Sequence, residues 1–299
     1  MDILIKLLDV VVPVFAIIGI GFYLGKKNPN FNTEFIGMFA LKFGTPALTF
    51  YAITSTGISY QVFIEYFFYT ILAIACFSIV GVIFLAVIKR DYIRELPPLI
   101  LPNAGNMGLP ICFFAYGKTG LGVAAAISSV VIISHFTLGI FLASKKFSIN
   151  ILLKNPAIYS VIISVLTLYY ELKIPIFIEN ITFLLSYATI SLVLISLGIA
   201  LTKLKVFSLK QASFLSFSRI IIGPLIGFVI IYFFELKGFA AGILLIQCSM
   251  PCAILTYLVG TMYSPKKISN NIAGTIVVST LLSFLTIPIV VFFALKYFT

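Results

Sequence analysis

Charged residues are scarce in this chain. They make up 10% of its 299 residues, only 9 are Asp or Glu, and there is 1 histidine. A surface facing water on all sides needs more charge than this, so a soluble globular protein is excluded. The signatures of an intramembrane protease are missing too: the apolar stretches hold no Asp pair, no HExxH and no GxSxG. The four cysteines, Cys76, Cys112, Cys248 and Cys252, all fall inside apolar stretches, where they behave as small hydrophobes and imply no disulfide framework. Cys248 and Cys252 share a helical face, but no His or carboxylate accompanies them as a metal ligand. Loops of no more than about a dozen residues leave no room for a soluble domain or a linker.

What remains is apolar. Hydrophobic residues make up 61% of the sequence, in runs of roughly 20, the length that crosses a hydrocarbon core of about 30 Å as a helix. Ten such spans are expected, at about 3 to 25, 33 to 56, 62 to 88, 97 to 117, 120 to 143, 154 to 171, 178 to 202, 210 to 234, 238 to 262 and 269 to 298. Strict alternation of apolar and polar residues is absent, so the class is an all-α polytopic membrane protein and not a barrel. The first span lacks a basic leader and a small-x-small cleavage site, and is expected to stay in the mature protein.

The net charge of +11 needs no nucleic acid partner, because the basic residues fall on alternate loops. Loops after the odd-numbered spans hold Lys26, Lys27, Lys89, Arg90, Arg94, Lys145, Lys146, Lys154, Lys203, Lys205, Lys210, Lys266 and Lys267, against Lys6, Lys118, Lys173, Lys237 and Lys296 on the other side. The positive-inside rule makes the odd loops cytoplasmic and both termini extracytoplasmic, in a cell (plasma or inner) membrane. The lipid bilayer is thus one expected partner, and no cofactor or metal is called for.

The two halves of the chain are alike. SHFTLGI at 134 to 140 resembles SFLTIPI at 283 to 289, 149 residues later, close to half of 299. The fourth span carries Gly108-Leu109-Pro110 and the ninth Ser249-Met250-Pro251, so each half breaks its fourth helix with a proline. Five spans per half forces the second copy to insert upside down. Residues 1–146 and 147–299 are therefore read as two inverted five-helix repeats, the arrangement of secondary transporters whose substrate sites form where broken helices meet.

The break in LPNAGNMGLP is rich in Pro102, Asn103, Gly105, Asn106, Gly108 and Pro110. The prolines remove donors and the glycines loosen the backbone, so a continuous helix over 102 to 110 is not expected. Irregular backbone at membrane depth survives only where protein or a water-filled cavity covers it. A kink satisfied by neighbouring helices is the plain alternative. Asn103 and Asn106, together with the positive end of a half-helix starting near Pro110, suit an anionic or hydrogen-bonding ligand. In the ninth span Gln247 and Ser249 supply the polar groups beside Pro251.

Two cations stand deep in the spans: Lys42 about 16 Å and Arg219 about 14 Å along their helices. Burying each costs roughly 2.5 to 3.5 kcal/mol on insertion scales, so both are expected to face the interior or an aqueous cavity. No Asp or Glu lies deep enough to pair with them, which leaves a substrate carboxylate or the carbonyls of the broken helices as partner. His135 is either a proton carrier for coupling or a hydrogen-bonded packing residue.

PNAGNMGLP, with KFGTPALTF (42 to 50) and IQCSMP (246 to 251), resembles the auxin efflux carrier family, the plant PIN proteins and their bacterial relatives, within the wider bile acid and auxin transporter group. With the ten-span layout the likeness covers the whole chain. It implies a scaffold of spans 1, 2, 6 and 7, and a transport unit of spans 3–5 and 8–10 whose fourth and ninth spans cross at their breaks. It also implies an elevator-like export of small organic anions, carboxylates of an auxin-like or dicarboxylate kind. Asn103 falls on the family's substrate-contacting asparagine, and Pro110 and Pro251 on its crossover prolines. The sequence departs from many bacterial members after Pro251, with Ile254 and Leu255 in place of a polar pair. A sodium-coupled importer of the bile acid symporter type is the alternative, an enzyme or channel being more distant. The oligomeric state stays open, a homodimer being one form.

Overall fold

The computed structural model describes residues 3–146 and 152–298. Its helices are α1 (Ile3–Lys27), α2 (Glu34–Thr54), α3 (Tyr60–Val87), α4 (Pro97–Ile100), α5 (Ala104–Ser144), α6 (Pro156–Tyr169), α7 (Ile176–Lys203), α8 (Leu209–Phe233), α9 (Gly238–Cys248), α10 (Ile254–Tyr263) and α11 (Lys266–Tyr297). Seven of them, α1, α2, α3, α5, α7, α8 and α11, are long and apolar enough to cross a membrane, and the chain is a helical, multi-pass membrane protein. The boundary between repeats expected at 146/147 adjoins residues outside the described set.

Helix starts follow local chemistry. Ser59 caps α3 by accepting from the Val62 N–H at 3.2 Å, and Asn155 caps α6 by accepting from the Ala157 N–H at 3.0 Å, with Pro156 behind it. An unbroken 41-residue α5 would run about 60 Å, twice a bilayer core. It does not run straight, because Gly117 takes φ 68° and ψ −156°, a conformation open to glycine alone. That interruption sits where the sequence separates the fourth and fifth spans. Many hydroxyls inside the spans bond back to their own helix, as Thr70 does to the Tyr66 carbonyl at 2.6 Å and Ser129 to the Ala125 carbonyl at 2.7 Å, while Ser160 and Ser216 reach across to the carbonyls of Pro46 and Thr275.

Packing gathers the helices into two groups. In one, α1 lies along α7 and α2 lies against α6 and α7; in the other, α8 lies along α11, α9 against α5 and α11, and α3 against α5. The α1–α7 contact is close because both helices present glycine. A Cβ on Gly21 would stand 2.1 Å from the Ile195 carbonyl oxygen, and one on Gly198 2.0 Å from that of Ile18. In lipid, where no hydrophobic force drives helices together, such small-residue contacts carry the association. Gly198→Val is therefore expected to push α1 and α7 apart at a cost of about 1–3 kcal/mol. The unfolding temperature should fall by roughly 5 °C or more. A thiol-reactive dye that reads exposure of buried Cys112, Cys248 and Cys252 measures this.

Candidate functional site at the paired breaks

Two interruptions meet inside the molecule. The first is short: α4 ends at Ile100, Leu101 is extended, and α5 opens at Ala104 with a wide π-type turn over Ala104–Gly108. The Asn103 carbonyl starts that turn by accepting from the N–H groups of Met107 at 3.3 Å and Gly108 at 3.1 Å. The irregular stretch expected over 102 to 110 thus contracts to residues 101–103. Pro110 sits in the first turn of regular helix, where a missing N–H costs little. The second interruption runs from Ser249 to Ala253, between α9 and α10.

The freed backbone groups satisfy one another. The Asn103 N–H donates to the Pro251 carbonyl at 2.8 Å, and the Ala253 N–H donates to the Leu101 carbonyl at 3.3 Å, which sets Pro102 opposite Cys252 as an isolated antiparallel bridge. Both prolines occupy places where no N–H is called for. The Cys252 N–H donates to Ser279 Oγ at 3.3 Å.

Arg219 closes the junction. It is 1% exposed, and its guanidinium donates to the carbonyls of Leu99 at 2.9 Å, Cys248 at 2.8 Å and Met250 at 3.1 Å while lying 4.4 Å from the centre of the Phe77 ring. The carbonyls of Leu99 and Cys248 belong to the ends of α4 and α9, where a helix is negative, and that of Met250 lies in the second interruption. Of the two partners open to this cation in the sequence, the backbone carbonyls are the ones it has, and Arg219 does not line the cavity described next.

A cavity of about 510 Å³ lies beside the breaks. Pro102, Asn103, Gly105, Asn106 and His135 line it on one side; Thr45, Thr49, Asn155, Thr189, Ser196 and Lys203 line it from the α2, α6 and α7 side. Ile254 and Leu255 also line it, with Leu48, Leu109 and Leu258, so much of the wall is apolar. Asn103 is 3% exposed and its side-chain nitrogen has no partner. His135 Nδ1 is 2.8 Å from the Val131 carbonyl. A carbonyl only accepts, so Nδ1 carries the proton, and in the neutral ring the unpartnered Nε2 is an acceptor. His135 is thus held by a hydrogen bond and also borders the cavity.

Not all the expected residues come here. Gln247 is fully buried against Gly108, where a Cβ would stand 2.3 Å from its Oε1. Ser249 spends its hydroxyl on the Leu245 carbonyl at 2.7 Å. Lys42 is exposed and outside the cavity, a correction to the expectation that it faces inward. The reason is the π-type turn over Ala40–Gly44, which seats Gly44 against Thr189 and sends Lys42 and Phe43 outward. Lys42→Ala is accordingly expected to leave the function of the cavity within about twofold of wild type, the usual range for a surface change. Any activity assay of the cavity checks this.

Several lining residues went unread in the sequence. Thr189, Ser196 and Lys203 recur every seven residues, one face of α7, and Thr45 and Thr49 are one turn apart on α2. Periodicity held that signal. Asn155 gave none beyond its place before Pro156.

Comparison with known proteins fits this architecture. A family model described as membrane transport protein matches residues 140–291. Over 200 residues the chain is 28% identical to an uncharacterized transporter from Methanocaldococcus jannaschii. The match covers 64% of this chain and 64% of that relative, so the chain spans a little under two thirds of the curated relative it matches.

Proposed function

The chain belongs to the membrane transport protein family, that of the auxin efflux carriers, and from that premise we propose that it is a secondary carrier exporting small organic anions. The observation that carries the reading is the cavity at the paired breaks, with the unpartnered amide of Asn103 and the amide of Asn106 on its wall and large enough for a small carboxylate. Its apolar surfaces, Ile254 and Leu255 among them, favour an anion with a hydrocarbon body. The site residues are Asn103 and Asn106; Pro102, Gly105, Gly108, Pro110 and Pro251 shape the breaks.

The movement is of the elevator kind, with α1, α2, α6 and α7 as the scaffold and the remaining helices as the transport unit. The most extensive helix contacts lie within each group, α1 also touching α5 and α11 and α2 touching α5, and the cavity is bordered by both groups, which supports this division. Ten spans in two inverted repeats, 1–146 and 147–299, are part of this proposal, supported by a count of ten crossings when the Gly117 kink divides α5 and when α4 with the first part of α5, and α9 with α10, each count as one broken crossing. Thr33, Glu34 and Lys203 border the cavity at the ends of α2 and α7 that adjoin the lysine-bearing loops, with Lys26 and Lys27 closing α1 just before α2. The positive-inside rule puts those ends in the cytoplasm of a cell-membrane protein, which makes this an inward-open form.

The test is efflux of radiolabelled mono- and dicarboxylates from proteoliposomes holding the full chain. Saturable efflux with counterflow, indifferent to sodium, is the expected result. Sodium-dependent uptake would support an importer, and the absence of movement of any carboxylate would refute the proposal.

A further inference from the structure

The amino end of α6 carries an arrangement that capping alone does not explain. Asn155 is 6% exposed and borders the cavity. Its Oδ1 accepts from the Ala157 N–H at 3.0 Å, which fixes the orientation of the amide, and the Nδ2 left over is buried without a partner. A cap needs only the acceptor; Asp supplies it with no donor, and Ser or Thr with a single O–H that rotates to suit. Leaving a buried N–H2 group unpaired is costly unless something meets it. Pro156 has no N–H and that of Ala157 is taken, so the Asn155 Nδ2 is the donor this end offers, backed by the positive end of a 14-residue helix.

We propose that the α6 amino end with Asn155 Nδ2 is a second anion subsite of the cavity, receiving a carboxylate of the transported molecule. This rests on the reading of the cavity as an organic-anion site and adds a contact from the α6 side of the wall to that of Asn103. In an elevator the two contacts lie on different bodies, so the anion is held between them when the cavity is open and loses the Asn155 contact as the transport unit moves.

The discriminating variant is Asn155→Asp. It keeps the cap and suits the helix dipole, so folding should be unharmed; it replaces the donor with a negative charge. Carboxylate efflux from proteoliposomes, measured with the unfolding temperature, is expected to show a KM raised at least tenfold with no loss of thermal stability. Asn155→Ser, which keeps the cap acceptor but lacks the N–H2, should raise KM severalfold, and it decides the matter alone should the Asp variant misfold. A KM within twofold of wild type in a folded variant overturns the subsite. If Asn103→Asp abolishes transport while Asn155→Asp leaves KM within twofold of wild type, the anion site stands and this subsite falls. If wild-type protein moves no carboxylate at all, both readings fall together.

Discussion

Arg219→Leu is expected to cost this protein its fold before it costs any particular contact with substrate. The leucine strands three buried carbonyls, those of Leu99, Cys248 and Met250, and removes the positive charge that faces the negative ends of α4 and α9. Each stranded acceptor costs about 1–3 kcal/mol, so several kcal/mol disappear together. The unfolding temperature should drop by roughly 10 °C or more, or the protein should fail to leave the membrane as a single species. Arg219→Lys keeps the charge but not the planar fork that reaches three acceptors from one centre, and belongs between the two. A substrate-binding arginine would behave otherwise: the lysine variant would keep its stability and lose affinity. Measuring both in one preparation separates the roles.

Asn103→Asp is the second large effect, and it acts chiefly on transport. The change is isosteric, so the Asn103 N–H still reaches the Pro251 carbonyl and its own carbonyl still opens the turn through Met107 and Gly108. A buried carboxylate at the cavity wall then meets the anion as a like charge and removes a donor to it. A hydrogen bond to a charged group is worth about 1.5–3 kcal/mol, and repulsion adds to its loss. A KM raised on the order of 100-fold, or efflux below detection, is expected in a protein that still folds, its unfolding temperature lowered in step with the few kcal/mol that a buried carboxylate costs. Asn103→Ala lacks the repulsion, and a smaller loss of about tenfold or more follows. Transport at wild-type affinity in both variants would make the break purely structural.

The sequence made much of this readable, for physical reasons that can be named. Spans are legible because the bilayer fixes their length, and the break at 101–103 is legible because Pro102 and the glycines beside it cannot sit in an ordinary helix. Its extent was not, since the π-type turn over Ala104–Gly108, which takes Gly105, Asn106 and Gly108 into the helix, depends on carbonyl geometry that composition does not encode. The pairing of Asn103 with Pro251 joins residues of opposite halves, and no local pattern announces it. Lys42 and Arg219 look equivalent as deep cations. One is turned outward by a change of helical pitch and the other is enclosed by three carbonyls, a difference set by tertiary packing.

The backbone bridge between the breaks also bears on how the protein is made. Its two strands are 148 residues apart, counted from Asn103 to Pro251, which at about 5–20 residues per second is roughly 7 to 30 seconds of synthesis. For that interval the first break has emerged and its partner does not yet exist. The early spans therefore enter the membrane with their central amide and carbonyl unmatched until the second break has been synthesised.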